Sequence, residues 1–191
     1  MKAFTLIETL VAVTILTLAV SGPLWATNAA LVSAYTARDK LVASYLAQEG
    51  IEYAHAMRDD EYLYYAFNLN DPTASTDAWQ DFVSPSGANA SSIGRCKAST
   101  CLLDVTKPMG TGSSKALQTC SGSSCVPLCL HNGIYQQLNS CSAQGDTHVF
   151  TRTLQVSDLS PTEAQVVSTV TWLTRGTQYS VSSTVHLTPW Q

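Results

Sequence analysis

Glu8 is the only carboxylate in the first 38 residues, and it stands in front of a run, Thr9 to Ala37, of roughly 29 residues without a formal charge. A carboxylate at membrane depth costs about 2.5 kcal/mol or more unless it finds a partner. Glu8 is therefore either a helix-end side chain reaching toward the headgroups or a group kept there for a purpose.

A second set of reactive side chains lies between Ser84 and Gln144, a stretch rich in Ser, Gly, Thr and Asn that holds Cys96, Cys101, Cys120, Cys125, Cys129 and Cys141. An even number of cysteines in a segment too polar to make a large core of its own reads as a disulfide framework. Cys96 with Cys101 is a plausible local pair, but six cysteines allow about fifteen pairings and spacing does not choose among them. Each bridge is worth about 2 to 4 kcal/mol. Zinc is the competing chemistry, since Cys120, Cys125, Cys129 and His131 offer soft ligands close together. The spacing lacks the paired C-x2-C knuckles of common structural sites, and export favours oxidation. No motif surrounds His131 or His148 that would make a cysteine nucleophilic.

Arg58-Asp59-Asp60-Glu61 invites a metal or acid-catalytic reading, yet a solvated helix end accounts for it with no further assumption. Asn89-Ala90-Ser91 fits the glycosylation sequon. No catalytic residue, metal or cofactor is assigned. Net charge is −4, and the ten Lys and Arg form no basic cluster. Electrostatics therefore give no nucleic-acid footprint.

The elements that hold these groups follow from periodicity. Leu6 to Leu24 or Trp25 is long and apolar enough for a spanning helix of about 20 residues, and Trp25 sits where an interfacial aromatic belongs. A cleaved signal peptide would need a shorter apolar core without an acid in front of it. Gly22-Pro23 lies inside the helix, and the missing backbone donor predicts a kink or local melting there. Beyond the span, Leu31, Tyr35, Val42, Leu46, Tyr53 and Met57 step along one helical face. Arg38, Asp39, Lys40, Gln48, Glu49 and Glu52 lie mostly off it, on a wet side. Gly50 is a weak point, and the helix is expected to end near Met57.

From Arg58 to Pro85 the helical pattern fails, with the aromatics Tyr62, Tyr64, Tyr65 and Phe67 followed by Asn-Asp-Pro-Thr turn chemistry. Three strands are expected at 147–156, 165–174 and 179–187. Arg175-Gly176-Thr177 supplies a hairpin turn between the last two. Such a sheet packs one face on the amphipathic helix. The fold class is α+β: a long N-terminal helix on a C-terminal antiparallel sheet, with cysteine-rich loops between.

Lys2-Ala3-Phe4-Thr5-Leu6-Ile7-Glu8-Thr9-Leu10-Val11-Ala12-Val13 strongly resembles the N-terminal segment of type IV pilins and pseudopilins, and Ala47-Gln48-Glu49-Gly50-Ile51-Glu52 more loosely resembles the helix of PilV-type minor pilins. The Trp172 strand and the Leu187-Thr188-Pro189-Trp190 ending look like the distal sheet of a pilin head. The resemblance implies a leader at 1–3 removed by a prepilin peptidase between Ala3 and Phe4, with N-methylation of Phe4. It implies that Glu8 meets the free amine of a neighbouring subunit, each buried charge being tolerable only with the other. The family has Gly before the cut; Ala3 is the closest substitute in size, and tolerated or slower processing is expected.

The implied organisation is a transmembrane and assembly helix at 4–30 and an extracytoplasmic head at 31–191, with amphipathic helix at 31–60, cysteine-rich loops at 84–144 and strands at 147–188. The implied function is that of a structural subunit of a type IV pilus, minor rather than major. Its partners would be other pilin subunits, the peptidase, the inner-membrane assembly platform and, before assembly, membrane lipid. A pseudopilin of a secretion or DNA-uptake machine and a displayed adhesive module are the alternatives; an enzyme is not expected.

Overall fold

The computed structural model describes residues 5–84, 92–112, 114–137, 141 and 149–189, apart from the side chains at 68, 123, 158 and 159. The expected leader at 1–3, Phe4, the Asn89 sequon, His148 and Trp190 lie outside the described residues. Two compact units divide at Lys40 and Leu41.

Helix α1, Leu6–Leu63, runs through both units and passes Gly22 and Pro23 without a break. The melting expected at that pair is absent: Pro23 forfeits one bond, to the carbonyl of Ala19, and the ladder on either side holds the helix. Within the first unit the apolar side chains are exposed, from Leu6 at 83% to Trp25 at 76%. The helix is long and apolar enough to cross a membrane. Its hydroxyls cap their own backbone, Thr14 Oγ1 donating to the Val11 carbonyl at 2.8 Å and Thr17 Oγ1 to that of Thr14 at 2.9 Å. A hydroxyl so satisfied can lie in a medium without water.

In the second unit α1 buries Ala43, Leu46, Ala47, Ile51, Ala54 and Met57. The predicted stripe holds at Val42, Leu46, Tyr53 and Met57, whereas Leu31 and Tyr35 are exposed. Small residues displace the buried face toward Ala43, Ala47, Gly50 and Ala54, because they let the helix approach the sheet closely. Asp39 is buried, against the wet side expected for it.

The helix also outlasts Met57. A five-residue π turn, Tyr64–Asn68, follows Leu63, and after the Pro72-Thr73 turn comes α2, Ala74–Val83, which sequence reading missed. Its apolar face, Ala74, Ala78, Trp79 and Phe82, enters the core. Trp79 Nε1 donates to the Pro161 carbonyl at 3.0 Å.

The region expected as cysteine-rich loops instead contains a short helix, α3 (Arg95–Ala98), and four strands: β1 (Thr100–Leu103), β2 (Leu117–Cys120), β3 (Leu128–His131) and β4 (Ile134–Gln137). The three expected strands are present and longer, as β5 (Phe150–Ser160), β6 (Glu163–Thr174) and β7 (Thr177–Leu187). Among the described residues the strands all pair antiparallel, in a seven-stranded sheet. One edge of β5 pairs with β6, which pairs with β7. Its other edge is shared, β1 meeting it at Thr153 and Leu154 and β3 at Phe150.

One sheet face packs on α1, as the alternation along β6 shows: Ala164, Val166, Ser168, Val170 and Trp172 are buried, and the residues between them are not. The core falls into two clusters. Ile51, Met57, Trp79, Phe82, Leu103, Leu154 and Val166 belong to the larger; Leu46, Leu128, Phe150, Val170 and Trp172 belong to the smaller. Burying each large side chain is worth about 1.5 to 3 kcal/mol. Rings of Tyr135, Phe150, Trp172 and Tyr179 succeed one another at centroid spacings of 5.7, 6.0 and 5.7 Å.

Candidate functional site

Glu8 lies in the first turn of α1, where a carboxylate is favoured by the unpaired amides of the helix start. Its own amide bonds the Thr5 carbonyl at 3.1 Å. The side chain is exposed, with the exposed Leu6, Ile7, Leu10 and Val11 beside it. It is the only formal charge between residues 5 and 37. The arrangement presents a single anion on an apolar rod, which binds a cation well wherever water is excluded.

The six cysteines form three disulfides, each between successive cysteines: Cys96 with Cys101, Cys120 with Cys125, and Cys129 with Cys141. The first joins α3 to β1. The second closes the 3-10 turn Gly122–Ser124 after β2, and the third ties β3 to residue 141. This excludes the zinc reading of Cys120, Cys125, Cys129 and His131, because the three sulfurs are spent in disulfides. Among the described residues no group of three or more His, Cys, Asp or Glu could hold a metal ion.

The Arg58-Asp59-Asp60-Glu61 cluster is not a solvated helix end. Helix α1 continues past it, and Glu61 is buried at 1% exposure. Arg58 donates twice to Asp59, at 3.0 and 2.9 Å, and once to the Thr188 carbonyl at 3.3 Å. The cluster thereby holds the end of α1 to the chain just past β7.

Sequence reading passed over Arg152. On β5 it occupies an inward position, between Phe150 and Leu154, and is fully buried. Its guanidinium donates to the Glu49 carboxylate and the Leu46 carbonyl on α1, the latter at 3.1 Å, and to the Leu103 carbonyl on β1 at 2.9 Å. Burial pulls its pKa down, against the opposing pull of Glu49. The signal was available: a charge at the apolar step of Phe150-x-Arg152-x-Leu154-x-Val156 has to find a partner across the core. Arg152 fixes the register of helix on sheet.

Asp71 accepts from the Thr73 amide and hydroxyl, each at 2.8 Å, which draws its pKa down and forms the turn into α2. Tyr53 accepts from the Gly110 amide at 3.3 Å, anchoring the β1–β2 connection to α1; its pKa is raised, chiefly by burial.

Compared with family models, curated proteins and solved structures, the chain matches none.

Proposed function

We propose that the chain is a minor subunit of a type IV pilus-like filament, anchored by α1 as a single span with the disulfide-bonded head outside the cytoplasmic membrane. In this reading a prepilin peptidase cuts between Ala3 and Phe4, Phe4 is N-methylated, and Glu8 pairs with the amine of a neighbouring subunit as the assembly platform adds it to the fibre. The observation that carries the reading is the lone Glu8 in the first turn of an exposed apolar helix which, further along, becomes the helix packed on the sheet. Pairing gives that carboxylate a counter-charge where each ion alone is costly. Three disulfides agree with a head exposed to an oxidising compartment.

Co-expression of the full chain with a prepilin peptidase, followed by mass determination of the product's N-terminus, tests the reading. A product beginning at N-methylated Phe4 supports it, as does a Glu8→Ala variant that is cleaved but not assembled. A Met1 terminus kept intact makes the chain a fixed single-span protein, and a cut between Ser21 and Ala26 makes the head a secreted domain.

A further inference from the structure

The free edges of the sheet differ in kind. Among the described residues β2 and β4 end one side of it, are four residues long, and β2 is further covered by a bridge from Leu117 to Thr111. The other side ends in β7, eleven residues long. Thr174 and Thr177 flank the two-residue turn Arg175-Gly176 and are register partners, which makes them a mutually hydrogen-bonded pair. Alternation then turns the backbone groups of Tyr179, Val181, Ser183 and Val185 toward β6, and those of Gln178, Ser180, Ser182, Thr184 and His186 outward. These five residues hold outward amides and carbonyls, and among the described residues β7 pairs with no strand besides β6.

Fixed charge, proline and bulges, three of the usual guards, are missing from β7. Residues 177–187 contain no Lys, Arg, Asp, Glu, Pro or Gly, and the β6–β7 register has no bulge. On the inner face Val181 and Val185 pack on the core yet are only half-buried, and Tyr179, stacked on Trp172, is 39% exposed. One more strand would satisfy the edge and cover all three.

We propose that β7 docks an extended segment of a different protein as an eighth strand, uncharged and carrying β-branched or aromatic side chains at the alternate positions that fall beside Tyr179, Val181 and Val185. Backbone bonds supply the affinity of such strand addition and the alternate side chains its specificity. Among its described residues a second copy of this chain has one free edge of matching length, β7 itself. Twofold-related β7 edges pair antiparallel, since a parallel ladder staggers the bonding residues by one, which symmetry forbids. Antiparallel pairing in one sheet sets the two α1 helices in opposite directions, whereas chains anchored through α1 in one membrane run them the same way. The choice of a different protein as donor thus rests on the filament-subunit reading; the open edge does not.

The probe is a synthetic peptide of the β6 sequence without its one charged residue, Ala164–Thr174, titrated by fluorescence anisotropy onto the full chain in phospholipid nanodiscs. Expected are saturable binding and about a tenfold loss on N-methylating alternate peptide residues in the pairing register. Ser182→Pro is expected to lose as much, because it removes an outward amide where an edge strand tolerates proline. Thr184→Lys, a guard of the usual kind, serves as the second variant, and unchanged circular dichroism shows that the head is folded. Binding indifferent to N-methylation and to both variants overturns the proposal, as does the absence of saturable binding. A two-copy species of the chain that Ser182→Pro dissociates also overturns it, by giving the edge to a second copy. Glu8→Ala is expected to leave peptide binding unchanged, so failure of the filament reading shows in the cleavage test alone.

Discussion

Gly50 on α1 and Ser168 on β6 are so close that a Cβ built at position 50 would come within 3.0 Å of the Ser168 side chain. Non-bonded Cβ contacts shorter than 3.0 Å essentially never occur, so the serine would have to give way. Gly50 is thus the point where helix meets sheet. Gly50→Ala is expected to destabilise the head by about 1 to 3 kcal/mol through overpacking, despite the better helix propensity of Ala. Urea unfolding followed by tryptophan fluorescence measures the loss. Adding Ser168→Gly is expected to restore part of it, the two effects being coupled through one contact.

Arg152 and Glu49 are unequal partners, the arginine fully buried and the glutamate side chain 43% exposed. Arg152→Ala, which strands two carbonyls and opens a void, is expected to cost about 3 kcal/mol or more. Glu49→Gln keeps the packing and a hydrogen bond, and water screens the lost charge. About 1 kcal/mol is expected for it. Equal losses in a denaturation series would contradict this account.

The hairpin turns carry their own test. Arg175 and Gly176 both have positive φ, at 51° and 81°, as do Asn132 and Gly133 between β3 and β4, at 51° and 81°. Two-residue turns of this hand favour Asn-Gly. Arg175→Asn is expected to stabilise by about 0.5 kcal/mol, and Gly176→Ala to cost about 1 kcal/mol.

Burial raises the Tyr53 pKa above its ordinary value, with Asp60 adding to the effect and the bond from Gly110 opposing it. A raised folded pKa means that the contribution is complete below the unfolded value, about 10, and is lost as pH rises through the folded one. Stability of the native chain relative to Tyr53→Phe is therefore expected to be flat up to about pH 10 and to fall above it. Phenolate absorbance should show a late-titrating component that Tyr53→Phe diminishes; Tyr65, raised chiefly by burial with Asp81 adding to it, supplies the rest.

The disulfides should open in order of exposure. Cys125 is half-buried, whereas Cys96, Cys101 and Cys129 are fully buried. Graded reduction with alkylation and mass mapping is expected to label Cys120 and Cys125 first. The separations are 5, 5 and 12 residues. In the chain-entropy account the Cys129–Cys141 bridge then stabilises most, at about 3 kcal/mol against about 2 for each of the others.

Legibility followed the range of the signal. The apolar run, the strands β5 to β7 and the Arg175-Gly176 turn were readable because each declares itself within a few residues. Helix α2 was not, because Ala74, Ala78, Trp79 and Phe82 make a buried face only once Pro161 and the sheet are in place. The pair β3 and β4 hid in polar sequence with an Asn132-Gly133 signal that went unread among the cysteines. Arg152 needed a partner more than a hundred residues away, and Glu61 looked solvated until α1 was seen to continue beyond it. Of the site, the carboxylate and the disulfide framework were legible in the residues; the disulfide connectivity needed the fold.

That connectivity joins first with second, third with fourth and fifth with sixth cysteine. On the filament-subunit proposal α1 stays in the membrane and the head crosses into an oxidising compartment in N-to-C order behind it, so each pair of thiols is complete before any later cysteine arrives. Vectorial oxidation then yields the native pattern without reshuffling. The three covalent loops are in place while β6 and β7, which complete the sheet against α1, are still to come, so a late-closing fold inherits its crosslinks already sorted.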